Sequence, residues 1–180
     1  LLRDQVSHYG INIEHNMVLD ESMTPALFSD PGSYMSISLP YPFWPKLTKE
    51  NFDKEHPTLA RLESFVVPWS SELTFSEVPT ETIKQSVLAT TSARGWLSTD
   101  PIYLSPEQPE AIRSSTRKKY PVLATLKGQF TTFFKDMVKK QAGIAKSPET
   151  TLVVFGTSHF LEKAVVERNQ NNVSAFLNLI

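Results

Sequence analysis

The sequence predicts an open α/β fold with a mostly parallel sheet, and the C-terminal stretch Glu149–Ile180 carries most of this prediction. Thr151–Phe155 is a continuous apolar, β-branched run between Pro148 and Gly156. Such a run is typical of a strand that is buried on both faces, as in parallel sheets. We therefore expect this strand to lie in the middle of the sheet.

A turn and a last helix are expected after this strand. Gly156 is expected to let the chain turn sharply, and Thr157 and Ser158 are suited to cap a helix start. Asn171 or Asn172 is expected to cap the final helix. The apolar residues of that helix are expected on one face: Val173, Phe176, Leu177 and Ile180. A buried strand, a turn and a covering helix are the parts of an α/β layer fold.

Earlier in the chain, the patterns predict a short helix and further strands, about six strands in all. Leu1–Tyr9 has a helical pattern that Gly10 stops. The other strand candidates are apolar or alternating runs: Asn16–Asp20, Tyr34–Leu39, Ser64–Trp69, Ser86–Thr91 and Tyr120–Lys127. A long proline-rich loop is predicted near residues 98–115, and loops of that length are often functional.

Composition and charge exclude several classes of function. The 180 residues are 40% hydrophobic and 21% charged, and the formal net charge of −1 indicates neither a nucleic-acid partner nor an anionic membrane surface. The absence of cysteine excludes thiolate nucleophiles, disulfides and cysteine-type zinc sites. Because the chain starts with Leu1 and the last helical pattern stops at Ile180, we expect a single α/β domain over residues 1–180, or the C-terminal part of one, within a larger protein.

The turn after the last predicted strand is the first candidate site. Ligands of open α/β sheets bind beyond the carboxyl ends of the strands, and a helix N-terminus attracts anions. Thr157, Ser158 and His159 are therefore candidate residues for a small polar or phosphate-bearing ligand. The alternative is that Gly156 only turns the chain and a hydroxyl only caps, because one glycine is not a phosphate-binding loop.

Two aromatic segments are further candidates. Arg94 is suited to clamp a carboxylate or phosphate, and Trp96 to stack on a ligand, unless the ring is packed beside a surface arginine. Tyr41, Phe43 and Trp44 lie in a proline-rich run that cannot be helix or central strand. Exposed, these rings would form a partner-binding patch, and buried, they would cover the edge of the sheet.

No convincing catalytic set is found in the sequence. The histidines at positions 8, 15, 56 and 159 include no pair with metal-ligand spacing on one element. Ser158 with His56 or His159 would be the nucleophile pair of a hydrolase, but Phe160 stands where a nucleophile elbow requires its second glycine. We therefore predict no catalytic residue, no cofactor and no metal.

Several short motifs, in a fixed order over nearly the whole chain, resemble one protein family. They are Tyr34–Phe43 running into Pro-Phe-Trp, Asn51-Phe-Asp with His56-Pro-Thr58 and Leu62-Glu-Ser64, Leu88–Trp96, Pro121-Val-Leu-Ala with Lys127-Gly-Gln-Phe130, and Leu152–Phe160 with Asn178. Together they resemble the extracytoplasmic region of the auxiliary component of ABC transporters associated with gliding motility.

This resemblance implies a three-layer, Rossmann-like domain similar to flavodoxin-like and glutamine-amidotransferase-like folds. It implies a parent protein that membrane helices outside this chain anchor on the periplasmic side of the inner membrane, and that works with an ABC permease and ATPase. It supplies no catalytic residues. One departure is Thr157, because the family commonly has an acidic residue after the strand-ending glycine.

The favoured hypothesis is a non-enzymatic extracytoplasmic accessory domain of such a transport system, which binds protein or glycan partners. One alternative is a small-molecule or carbohydrate binder that uses Arg94, Trp96 and Thr157–His159. A serine-type hydrolase is the other alternative.

Overall fold

The computed structural model describes residues 1–29, 32, 35–77, 83–98, 104–105, 116–134 and 145–180. Most of its elements are short strands. In chain order they are β1 Ile11–Ile13, β2 Met17–Leu19, β3 Ala26–Ser29, β4 Ser36–Leu39, β5 Lys46–Thr48, β6 Ser64–Val66, β7 Leu73–Phe75, β8 Lys84–Thr90, β9 Trp96–Ser98, β10 Pro121–Gly128 and β11 Thr150–Phe155. Within the described residues, the helices are α1 Leu2–His8, α2 Lys163–Val166 and α3 Asn171–Leu179, with a one-turn 3-10 helix at Lys49–Asn51.

The predicted open, mostly parallel, three-layer Rossmann-like fold is wrong. Every strand pair in the described part of the chain is antiparallel. β10 lies between β8 and β11 in a three-stranded sheet, and the other strands pair as β1–β7, β2–β9, β3–β4 and β5–β6. Parallel neighbours need a crossover of about a dozen residues or more, usually a helix. The described helices are only four to nine residues long and lie at the two ends of the chain.

The position predicted for the last strand is also wrong. β11 forms the edge of the three-stranded sheet, and none of its residues is buried. The central strand is β10, which buries Val122, Leu123, Ala124 and Leu126 completely. Both segments are apolar runs of similar length, and such a run does not reveal whether one or both of its edges are paired. The sequence pattern alone therefore does not distinguish the edge strand β11 from the central strand β10.

The other predicted elements have mixed outcomes. The predicted strands overlap β2, β4, β6, β8 and β10, and Gly10, directly after the helix cap, has the positive φ of 109° expected of a terminating glycine. Tyr34 and most of the predicted loop near residues 98–115 lie outside the described residues.

The final helix is confirmed, but the apolar face predicted for it is only partly buried: of its residues, Phe176 packs against the core. Val173, Leu177 and Ile180 are exposed, whereas Asn172 and Ala175 are buried. Asn172 is not an N-cap, because its side-chain amide accepts a hydrogen bond from the Val66 N–H (2.9 Å) and donates to the Val66 carbonyl (2.8 Å). A polar residue therefore holds α3 against the outer side of β6.

The core consists of three clusters of apolar side chains. One contains Leu88 and Leu123 and packs beneath α3, and another contains Ala124 and Leu126 and packs beneath β1 and β7. The third is rich in aromatic rings and surrounds Trp44. This arrangement covers both faces of the three-stranded sheet and leaves the outer edge of β11 beside a groove.

Candidate functional site

A groove of about 900 Å³ borders the outer edge of β11. Val153, Val154 and Phe155 form its floor, and the turn from Gly156 to His159 continues it. Side chains of α1, the end of β1 and the residues that follow it also line the groove, together with Trp69, Ser71 and Leu104. The lining is mostly apolar with a few polar side chains, which is the usual make-up of a binding site in a protein.

Trp69 has an unusual backbone at the wall of this groove. Its φ is +48°, and it is the only described non-glycine residue with a positive φ. That conformation costs an ordinary residue about 1–2 kcal/mol. The surrounding packing maintains it, because the indole N–H donates to the Tyr41 hydroxyl (3.3 Å) and the ring contacts Trp44 and His159 edge-on at 5.4 and 5.0 Å. Backbone strain of this kind is often found at functional sites.

Gly156 is needed for close approach and not for a sharp turn, which corrects the sequence interpretation. It has no left-handed φ. A Cβ atom at this position would collide with the Ser71 carbonyl oxygen and the Ser70 hydroxyl. The Gly156 N–H donates to the Val122 carbonyl (2.9 Å), and its carbonyl accepts from the Ser71 N–H (2.8 Å). Gly156 thus joins β11 to the segment that follows Trp69.

The turn residues use their hydrogen bonds within the fold. The Thr157 hydroxyl donates to the Pro68 carbonyl (2.6 Å) and accepts from the His159 N–H (3.0 Å). The Nδ1 atom of His159 lies 2.6 Å from a carboxylate oxygen of Glu162. Ser158 is exposed, and among the described residues no imidazole nitrogen is hydrogen-bonded to its hydroxyl. The structure therefore does not assemble the nucleophile pair of a hydrolase.

A permanent cation, Arg3, lines the groove. An Arg3 guanidinium nitrogen lies 2.7 Å from Nδ1 of His15, and both residues line the groove together with His159. A guanidinium only donates hydrogen bonds, so Nδ1 of His15 accepts in this pair. Within the described residues, no Asp or Glu lines the groove. The site therefore favours a ligand that carries a carboxylate or another anion over a cationic one.

Arg94 and Trp96 do not belong to this groove. Trp96 is only 1% exposed, and the guanidinium of Arg117 covers its ring at 4.4 Å. Arg94, with a side chain 68% exposed, lies 3.3 Å from Glu21, which also binds Arg117 at 2.6 Å. The predicted ligand set is therefore split between two places, and the buried indole has no free face for stacking.

A buried carboxylate positions the loop that carries Arg94. Asp20 accepts hydrogen bonds from the Ser92 N–H (2.6 Å), the Ser92 hydroxyl (2.5 Å) and the Ser22 N–H (3.0 Å). Asp20 directly follows β2, and Ser92 lies shortly after β8, so these bonds join two sheets. Their role is structural.

The aromatic residues Tyr41, Phe43 and Trp44 lie in the core, at 3%, 2% and 6% exposure. Of the two alternatives open in the sequence, the structure places these rings as a buried cover and not as an exposed patch. Their function in the site is indirect, since Tyr41 and Trp44 hold Trp69 at the wall of the groove.

Comparison with known proteins gives one match. The model of a family of auxiliary transport components, described as an ABC-type uncharacterized transport system, matches residues 1–178. The chain belongs to this family. No curated protein and no solved structure matches the chain. The resemblance to auxiliary components of ABC transporters is thus confirmed, and the chain is associated with a transport system of that type.

In this auxiliary ABC component, sequence analysis found part of the groove and missed the rest. It identified Thr157–His159, which line the groove, but not Arg3, His15 or Trp69. These residues are far apart in the sequence, and antiparallel pairing brings them together. Neither a helix long and apolar enough to cross a membrane nor a cluster of metal-binding side chains was found among the residues described above.

Proposed function

We propose that this chain is a non-enzymatic, extracytoplasmic accessory domain of an ABC transport system of the gliding-motility type. The observation that carries the proposal is the family match over residues 1–178. In this role the domain assembles with the permease and the ATPase of the system, and the groove beside β11 is the contact surface for an extracytoplasmic partner such as the permease.

The groove itself supports a binding role. The polar side chains of its turn, Thr157 and His159, are already hydrogen-bonded to neighbouring residues of the fold. Such side chains shape a surface, whereas a general base or a nucleophile must reach the atom on which it acts. The mostly apolar lining and the arginine within it are features of a surface that docks another molecule.

Co-purification tests the proposed association. The full-length protein, with an affinity tag, is purified in mild detergent from cells that make the complete transport system. We expect the permease and the ATPase to co-purify in stoichiometric amounts, with an unrelated tagged membrane protein as the control. Recovery of the tagged protein without either subunit would contradict the proposal.

The extracytoplasmic location has a separate test. The chain contains no cysteine, so a single Lys54→Cys variant gives one exposed reporter thiol within it. In intact cells whose outer membrane has been permeabilised, we expect a membrane-impermeant maleimide to label this thiol. Labelling only after lysis would place the domain in the cytoplasm and refute this part of the proposal.

A carbohydrate or other small molecule is the second candidate, because the Trp69 ring lies at the wall of the groove. Aromatic rings are common walls of ligand pockets. A thermal-shift screen with sugars and phosphorylated metabolites tests it, with a Trp69→Leu variant as the comparison. Stabilisation of the wild-type chain alone would favour this candidate, and no stabilisation by any compound would exclude it.

A further inference from the structure

We infer that the outer edge of β11 binds an extended polypeptide segment of a partner protein as an added antiparallel or parallel strand, with a carboxylate of that segment near Arg3. The inference rests on the proposed accessory function and names the kind of partner that the groove accepts.

The hydrogen bonding of β11 shows which of its backbone groups are free. The Gly156 N–H donates to the Val122 carbonyl, and Phe155 lies opposite Leu123 in the same register. Residues of antiparallel strands alternate between hydrogen-bonded and non-hydrogen-bonded pairs. The N–H and C=O groups of Thr151, Val153 and Phe155 therefore point away from β10, towards the groove.

These outward groups have no hydrogen-bond partner among the described residues. The opposite edge of the same sheet is different. β8 is partly covered, because Phe52 forms a bridge with Ala89 and the Asp53 N–H donates to the Leu88 carbonyl (2.8 Å). The sheet thus has one edge that is partly covered and one that is open.

An extended peptide has the chemistry that this open edge requires. Donors and acceptors recur on it every second residue, at intervals of about 6.6 Å, which another strand in register can match. Apolar side chains flank the edge, with Val153 and Phe155 from the strand and Val6 and Met17 from the facing wall. In added-strand binding, backbone hydrogen bonds supply affinity and such side pockets supply specificity.

The charge of the groove selects the type of peptide. Arg3 is a permanent cation, and no ion pair occupies it in the described part of the chain. His15, whose Nδ1 accepts from Arg3, and His159, whose Nδ1 lies 2.6 Å from a Glu162 carboxylate oxygen, add polar character, and the described lining contains no carboxylate. A segment with an acidic residue or a terminal carboxylate near Arg3 complements this wall, and a basic segment does not.

Peptide selection tests the inference without any assumption about the transport system. Random peptides of about 12 residues, long enough to span the six residues of β11, are displayed on phage and selected against the immobilised chain. We expect binders with alternating apolar residues and an acidic residue or free C-terminus. NMR hydrogen exchange measures the protection of each amide with and without peptide. Peptide binding should increase the protection of the Val153 and Phe155 amides more than that of the Leu152 and Val154 amides.

Matched variants locate the binding. Val153→Pro removes an outward donor and leaves the bonds to β10 in place, so we expect it to weaken the selected peptides at least about tenfold. Arg3→Glu should weaken them similarly without touching the sheet, whereas Arg61→Glu, the same charge change at another exposed position, should have no effect. Circular dichroism and the thermal midpoint confirm that each variant is folded.

Three results would overturn the inference. One is a selection that yields no peptide. Another is a set of binders that Val153→Pro and Arg3→Glu, both folded, leave unchanged. The third is concentration-dependent dimerisation of the chain that Val153→Pro abolishes, which would show that the edge pairs with a second copy. If the chain binds peptides but the transport subunits do not co-purify, only the proposed transport partner is refuted. If the subunits co-purify but no peptide binds, only this inference is refuted.

Discussion

Replacement of Asn172 by leucine should strongly destabilise the chain. Asn172 is fully buried, and its amide serves three backbone groups: the Val66 N–H (2.9 Å), the Val66 carbonyl (2.8 Å) and the Phe160 carbonyl (2.9 Å). Val66 and Phe160 are themselves buried. Leucine has a similar volume, so the substitution keeps the space nearly filled but leaves these three backbone groups without hydrogen-bond partners.

The expected loss in the free energy of unfolding follows from the number of backbone groups left without a hydrogen bond. Each buried group without a hydrogen bond costs about 1–3 kcal/mol, and the larger apolar area of leucine offsets part of that cost. We therefore expect Asn172→Leu to lower the free energy of unfolding by about 3–5 kcal/mol, a large part of the 5–15 kcal/mol typical of a domain. In urea the unfolding midpoint should fall by roughly 2 M.

Asn171→Leu is the matched control, because Asn171 is exposed on the same helix and undergoes the same chemical change. We expect this variant to differ from the wild type by less than about 0.5 kcal/mol. Urea titrations followed by far-ultraviolet circular dichroism measure both variants. A loss of less than about 1 kcal/mol for Asn172→Leu would refute the argument that this amide completes the hydrogen bonding of β6.

Three further predictions concern other parts of the molecule. Gly156→Ala should lose about 2 kcal/mol or more in the same titration, because its Cβ atom would meet the Ser71 carbonyl, and a near-neutral result would show that the two segments separate easily. Asp20→Ala should lose about 2–4 kcal/mol, because it removes a fully buried carboxylate that accepts from the N–H and hydroxyl of the half-buried Ser92, and retention of the wild-type midpoint would contradict this. Burial raises the pKa of Tyr41 above its usual value of about 10, so its phenol ionises first in the unfolded chain and stability falls as the pH rises through the folded-state pKa. Tyr41→Phe should therefore show less additional loss of stability above about pH 10 than the wild type in pH-dependent melting, and an equal loss would refute the assignment.

Local structure was predictable in part from the sequence, whereas pairing was not. The apolar run around Leu123 and the glycine at position 10 indicate a strand and a helix end correctly, because each signal depends on neighbouring residues alone. The direction and partner of a strand depend on residues far away. The edge position of β11 follows from its pairing with β10 on one side only, and no pattern within Thr150–Phe155 records that.

The candidate site shows the same division. Thr157–His159 were recognised because they directly follow a strand, and they do line the groove. Two alternatives were open for Trp96, stacking on a ligand or packing beside an arginine, and the structure shows the second. The arginine that covers the ring is Arg117 and not Arg94, which no spacing in the sequence indicates. The positive φ of Trp69 was equally hidden, because aromatic residues rarely adopt it and tertiary packing imposes it here.

The hydrogen bonds of Asn172 also affect the order in which the chain acquires its structure during synthesis. The amide lies 106 positions after Val66, so β6 gains its outer partner only after at least that many further residues have been synthesised. Until then the N–H and C=O groups of Val66, which is buried in the folded chain, are exposed to water and to chaperones. We expect β6 and α3 to become protected at the same time, and β6 not to be protected first because it lies nearer the N-terminus.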